Sequence, residues 1–183
     1  IYNNSNETLY ADGLIFCKSY DNTMTDNNWD QYKEKSEVVP SFIFQVPGSG
    51  KEHAVEPGKS IILADQGINH KQDNANSPVD MSKADFEWYD DHKLDVDVPE
   101  VPNLIKHYSS SLSISMLHTR GYEGYYILQI PVAETQAFLD THPATTTMPN
   151  GKSVTSYAIP AKYIIDAVQC AAPEGYTSTV FPT

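Results

Sequence analysis

Apolar residues in this chain fall in short runs separated by polar turns that carry Gly, Pro, Asn and Asp. Leu14-Ile-Phe-Cys-Lys-Ser19 and Ser41-Phe-Ile-Phe-Gln-Val46 are aromatic and β-branched, the second closed by Pro47-Gly48, and both predict strands. Asp12-Gly13 stands between apolar segments and predicts a turn, because glycine takes positive φ without steric cost. Ser60-Ile-Ile-Leu-Ala64, entered through Pro57-Gly58, is too apolar for a one-sided surface strand and predicts a central one. Leu112–Leu117 and Tyr125–Ile130, with the Gly121–Gly124 turn between them, predict a hairpin. Lys162–Gln169 predicts the final strand.

Helical signals are few. Ile130, Ala133, Ala137 and Phe138 recur at i, i+3, i+7 and i+8, so Val132–His142 is the expected helix, with Pro131 at its start. One helical turn fits around Trp29–Lys35. Ser82-Lys-Ala-Asp85 matches a capping-box variant that would open a turn through Trp88, the alternative being a short strand over Phe86–Tyr89. The pattern as a whole is mainly β: a small sandwich with long loops and one short helix near 132–142. Ile1-Tyr2-Asn3 begins apolar with no turn or cap ahead of it. It is expected to pair inside the sandwich, beside Ile61–Ala64 or Ile164–Val168, since natural sheets cover their edges. The same start suggests a single domain over 1–183 that is N-terminally truncated, with a further strand and any targeting signal or lipid anchor lying outside this sequence.

Composition narrows the partners. With 12 Lys and Arg against 24 Asp and Glu, the net charge is −12 and no basic cluster exists, which argues against a phosphate backbone or an anionic membrane as partner. Twelve Tyr against six Phe means many rings with one edge wanting water or a partner. Asn, Ser, Thr and Tyr make up for few charges, as in extracellular, loop-rich β proteins. Cys17 and Cys170 are too few for a disulfide scaffold, and whether they pair is open. No transmembrane run is present in the sequence.

Catalytic signals are weak. There is no Gly-x-Ser-x-Gly, and Gly48-Ser-Gly-Lys51 lacks the first glycine of a phosphate loop. The six histidines never recur at i, i+4 and no Cys-x-x-Cys occurs, so a transition-metal site would need distant segments. The acidic block Asp85, Glu87, Asp90, Asp91, Asp95, Asp97 and Glu100 offers the hard oxygens that Ca²⁺ prefers, with Asp95, Asp97 and Glu100 as the calcium candidates. It lacks the Asp-x-Asp-x-Asp-Gly spacing of a calcium loop, and a solvated acidic surface is the plainer reading. Trp88, Tyr89, Asp90 and Asp91 are the ligand-binding candidates, a ring pair beside carboxylates. With Trp29, Tyr122, Tyr125 and Tyr126 they would make an aromatic platform for a sugar, although many such rings should be core.

The order of pieces resembles a known pattern. Ile1-Tyr2-Asn3, then Leu9 and Gly13 before an apolar strand, then Val55-Glu-Pro-Gly-Lys-Ser-Ile-Ile-Leu-Ala64 and Tyr163-Ile-Ile-Asp-Ala-Val168, resemble the lamin-tail domain family. That resemblance implies an immunoglobulin-like sandwich and makes the stretch near 66–111 an insertion. Tyr2-Asn-Asn-Ser5, Leu9-Tyr-Ala-Asp-Gly13, Pro47-Gly-Ser-Gly50 and Asp85-Phe-Glu-Trp-Tyr89 are closer to the secreted Bacteroidetes proteins gathered as domain-of-unknown-function family 4876. This second resemblance brings no activity and no functional residues. The expected function is a non-catalytic binding or scaffolding module of the cell envelope, secreted, periplasmic or on the outer-membrane surface, with a protein or glycan ligand and no cofactor unless Ca²⁺. The alternatives are a surface lipoprotein that captures a glycan or metal complex for an outer-membrane transporter, and an enzyme completed by a missing N-terminal part.

Overall fold

A computed structural model of the chain describes residues 1–22, 26–73, 79–91, 96–111 and 122–170. In chain order they form β1 (Leu9–Tyr10), β2 (Leu14–Ser19), α1 (Asp30–Lys33), β3 (Glu37–Val38), β4 (Pro40–Gln45) and β5 (Ala54–Val55). Then come β6 (Leu63–Ala64), α2 (His70–Asp73), β7 (Phe86–Glu87), β8 (Ile105–Ser109), β9 (Gly124–Gln129) and α3 (Val132–Asp140). β10 (Pro143–Thr147), β11 (Ser153–Tyr157), β12 (Ile159–Pro160) and β13 (Ile164–Gln169) complete the order. The fold is a mainly β sandwich.

Its centre is an antiparallel sheet in the order β13-β9-β2-β4-β8. Period-two alternation sorts the side chains onto two faces. Leu14 and Phe16, Phe42 and Phe44, and Tyr125 and Ile127 take one face. Ile15 and Cys17, Ile43, and Tyr126 and Leu128 take the other. Both faces are covered, which is why these strands read as continuous apolar runs. α3 and β12 close the second face through Leu139 and Ile159. A layer of short pairings closes the first: β1 with β5, β6 parallel to β7, and Ile1–Asn3 against 59–61. That last pairing bears out the expectation for Ile1–Asn3, with Ile1 and Ile61 exchanging two main-chain bonds of 2.9 Å.

Several local expectations are corrected. Ser60–Ala64 is not central: Ile61 belongs to the covering layer, Ile62 is 45% exposed, and only Leu63–Ala64 form a strand. The capping box opens no helix. Asp85 instead accepts the Ile62 N–H through Oδ2 at 2.7 Å, and the alternative strand forms as β7. α3 is present, but Ala133 and Ala137 face water, and the helix buries Thr135 and Leu139. Pro149-Asn-Gly151 marks a turn in the sequence and forms one, but the β10 and β11 strands it joins, rich in Thr and Ser, carry little apolar signal. Both cysteines are free thiols, Cys17 within the second face of the core. Leu112–Leu117 and Gly121 lie outside the described residues.

Thr135 faces inward because a buried amide needs it. Gln45 is fully buried, and its Nε2 donates to the Gly13 and Ile130 carbonyls and to Thr135 Oγ1 at 3.1, 2.8 and 2.8 Å. Its Oε1 lies 2.8 Å from His107 Nε2, which requires that nitrogen to carry the proton. Burial pushes the His107 pKa down, so the ring is neutral at pH 7. A Gln45→Leu variant leaves these groups without the amide in an apolar site. Its expected cost is about 2 kcal/mol, read as a fall of roughly 4–8 °C in calorimetric melting temperature for a domain of this size.

Candidate functional site

The structure divides the residues singled out from the sequence. Trp88 is core: 2% exposed, stacked on Phe44 at 5.3 Å between ring centroids, and in contact with Phe16 and Phe42 at 5.5 and 6.0 Å. Trp29 and Tyr126 are buried as well, so these three rings form no platform for a sugar. Tyr89, one residue along from Trp88, points the other way and is 45% exposed. Asp90 is buried, whereas Asp91 is exposed and pairs with Lys106. Of the calcium candidates, Asp97 accepts from Asn103 Nδ2 at 3.1 Å, Glu100 is exposed, and Asp95 lies outside the described residues. The acidic block is thus divided between core, ion pair and surface.

A different carboxylate is held by three main-chain donors. Asp12 is buried in the turn before β2, and the loop after β4 folds back onto it. Its Oδ1 accepts the Gly50 and Glu52 N–H groups at 3.1 and 2.9 Å, and its Oδ2 accepts that of His53 at 2.8 Å. Burial raises its pKa, but the three main-chain donors outweigh burial and hold it below the usual carboxylate value. Asp12 therefore stays ionised across the physiological range and is not poised as a general acid or base, which needs a pKa near the working pH. Both neighbouring glycines serve this arrangement. Gly13 and Gly48 have φ of 76° and 123°, and a Cβ would strike the Ile130 carbonyl at Gly13 and Asp12 Oδ1 at Gly48. Asp12, Glu52 and His53 place one ligand atom each within 4.8 Å of one another, a metal-like trio that no sequence spacing revealed. Asp12 spends both oxygens on backbone donors, so the trio acts as a clasp between two turns.

A broad concavity lies elsewhere. An open groove of about 980 Å³ runs between the covering layer and the β9–β13 side of the sheet. Its floor is Leu14, Phe16, Val55 and Ile61, and its walls are Ile1 to Tyr10 on one side and β9 and β13 on the other. Phe16 and Tyr125 stack inside it at 5.7 Å. Its rim is apolar and wet, with Tyr2 61%, Leu9 48%, Ile165 61% and Val168 57% exposed. Several polar side chains along it are committed to the fold. Asn3 Nδ2 donates to the Glu7 and Val55 carbonyls, Gln129 Nε2 to those of Tyr10 and Asp12, and Thr8 Oγ1 to Glu56. The one carboxylate on the lining among the described residues, Asp166, accepts the Ala167 N–H at 2.8 Å. The sequence offered no signal for this groove, because it joins segments from opposite ends of the chain.

Fold and groove together define a mainly β sandwich with an open, largely apolar groove. The chain belongs to the DUF4876 family, proteins of unknown function, whose model matches residues 56–182. It is similar in fold to the crystal structure of a DUF4876 family protein from Bacteroides thetaiotaomicron, with a TM-score of 0.74 at 24% identity. The likeness covers 92% of this chain and 46% of that one, so the chain spans less than half the length of this relative. No curated protein matches the chain. No helix among the described residues is long and apolar enough to cross a membrane.

Proposed function

We propose that this chain is a non-catalytic binding or scaffolding module of a bacterial cell-envelope protein, with the groove between the covering layer and the β9–β13 edge as its binding surface. The observation that supports this reading is the mismatch between a large groove and its sparse acid–base chemistry. Proton transfer in a reaction needs paired groups tuned near the working pH. Among the described residues Asp166 is the only carboxylate on the lining, and its Oδ1 accepts a backbone N–H.

The reading predicts no turnover of glycosidic or ester substrates by the purified protein, together with a ligand-dependent rise in melting temperature, since a ligand that binds only the folded state stabilises it by mass action. Thermal-shift screening against Ca²⁺, haem, oligosaccharides and peptides reads the second outcome. Hydrolysis of any panel member that a single point substitution abolishes overturns the proposal in favour of an enzyme.

A further inference from the structure

Building on the groove as the binding surface, we infer that its ligand is an extended strand of a second, neutral or basic polypeptide, which adds at the Tyr2 edge, open among the described residues. Three observations carry this. First, the Ile1–Asn3 segment pairs with 59–61 through the main chains of Ile1 and Asn3, while Tyr2 stands opposite Ser60 in the position between those bonded pairs. The N–H and C=O of Tyr2 therefore point away from Ser60, and among the described residues they have no hydrogen-bond partner. Second, the side-chain donors of Asn3, Thr8 and Gln129 are spent within the fold and Asp166 Oδ1 accepts the Ala167 N–H, so the uncommitted polar groups of the described lining are chiefly the Asn4 amide and the Tyr2 and Tyr10 hydroxyls. A glycan is read largely through side-chain hydrogen bonds to its hydroxyls, whereas a strand is read through main-chain groups with apolar pockets for alternate side chains. The groove offers the second set: an open main-chain edge above Leu14, Phe16, Val55 and Ile61.

Third, the opposite wall is guarded. β13 is exposed, but a bulge between Ile164 and Asp166 breaks its register, and Asp166 caps the N–H of Ala167. Such devices blunt an edge against pairing, and they leave the Tyr2 side as the place where a strand can add. The net charge of −12 makes a second copy of this chain a poor occupant, because like-charged surfaces repel.

The test uses a fluorescein-labelled, end-capped nonapeptide that alternates valine with lysine and threonine. A second peptide is identical except for N-methylation at two successive central residues, which blocks both edges. Fluorescence anisotropy with the whole chain should show saturable binding of the first, and binding of the methylated peptide weaker by about tenfold, the equivalent of one to two main-chain hydrogen bonds. Tyr2→Pro, which removes an N–H that the fold does not use, should weaken binding comparably. So should Val168→Asn, an exposed change on the facing wall that leaves the Ile1–Asn3 pairing untouched. Equal affinity for the two peptides overturns strand addition. Oligosaccharide binding that Val168→Asn weakens, with no peptide binding, also overturns it and leaves the groove a binding surface. A dimer in sedimentation equilibrium that Tyr2→Pro dissociates overturns the foreign partner. Failure of peptides, oligosaccharides and self-association together overturns the groove itself.

Discussion

Trp88→Ala is expected to cost about 4 kcal/mol, the usual range for deleting a large buried ring. For a chain of this length that corresponds to a fall of roughly 8–16 °C in melting temperature. The reason is the stack around it: Phe44, Phe16 and Phe42 all meet the indole within 6.0 Å, and no described strand can move in without breaking the sheet. The neighbouring Tyr89→Ala removes a ring that is 45% exposed and should stay within about 0.5 kcal/mol of the parent. Chemical denaturation of the two variants side by side separates the roles. A Trp88→Ala protein of parental stability that had lost ligand binding would return Trp88 to the surface role its acidic neighbours suggest.

Asp12→Asn is the second large effect, at about 3 kcal/mol, because charge-assisted hydrogen bonds and buried orphaned donors each contribute on the order of 1–3 kcal/mol. The amide cannot satisfy all three donors. Whichever way it turns, its NH₂ faces either the His53 N–H or those of Gly50 and Glu52. The effect depends on pH in a defined sense. The folded-state pKa of Asp12 lies below that of the unfolded chain, near 3.9. Its contribution is therefore fully present above about pH 4 and is lost as the pH falls through the folded-state value. The gap in stability between parent and variant should be constant from neutral pH down to about 4, and should narrow below that. A gap that stayed constant down to pH 2 would mean that the ionised clasp contributes nothing.

The candidate site was less legible than the frame that holds it. Asp12-Gly13 and Pro47-Gly-Ser-Gly50 each announced a turn, and both turns exist, but nothing in either marked them as partners. Their contact spans Asp12 to His53, and it forms only because β2 and β4 pair so that both turns arrive at one end of the sheet. Trp88 shows the converse. Beside Tyr89, Asp90 and Asp91 it looks like a ligand-binding ring, yet the chain leaving β7 turns it into the sheet face and leaves only Tyr89 and Asp91 outside.

Local patterning was enough for the central strands. The runs at Leu14–Ser19, Pro40–Gln45, Gly124–Gln129 and Ile164–Gln169 form where their β-branched and aromatic residues place them, since alternation is a property of neighbouring residues and survives in any fold. The membership of layers was not local. Ser60–Ala64 is as apolar as a central strand, but Ile61 pairs with Ile1 and the segment joins the cover instead. The Asp12 clasp, the Gln45 amide and the groove likewise depend on residues dozens of positions apart meeting at set distances. Pairing register and packing set those distances, and they arise only once the sheet has assembled.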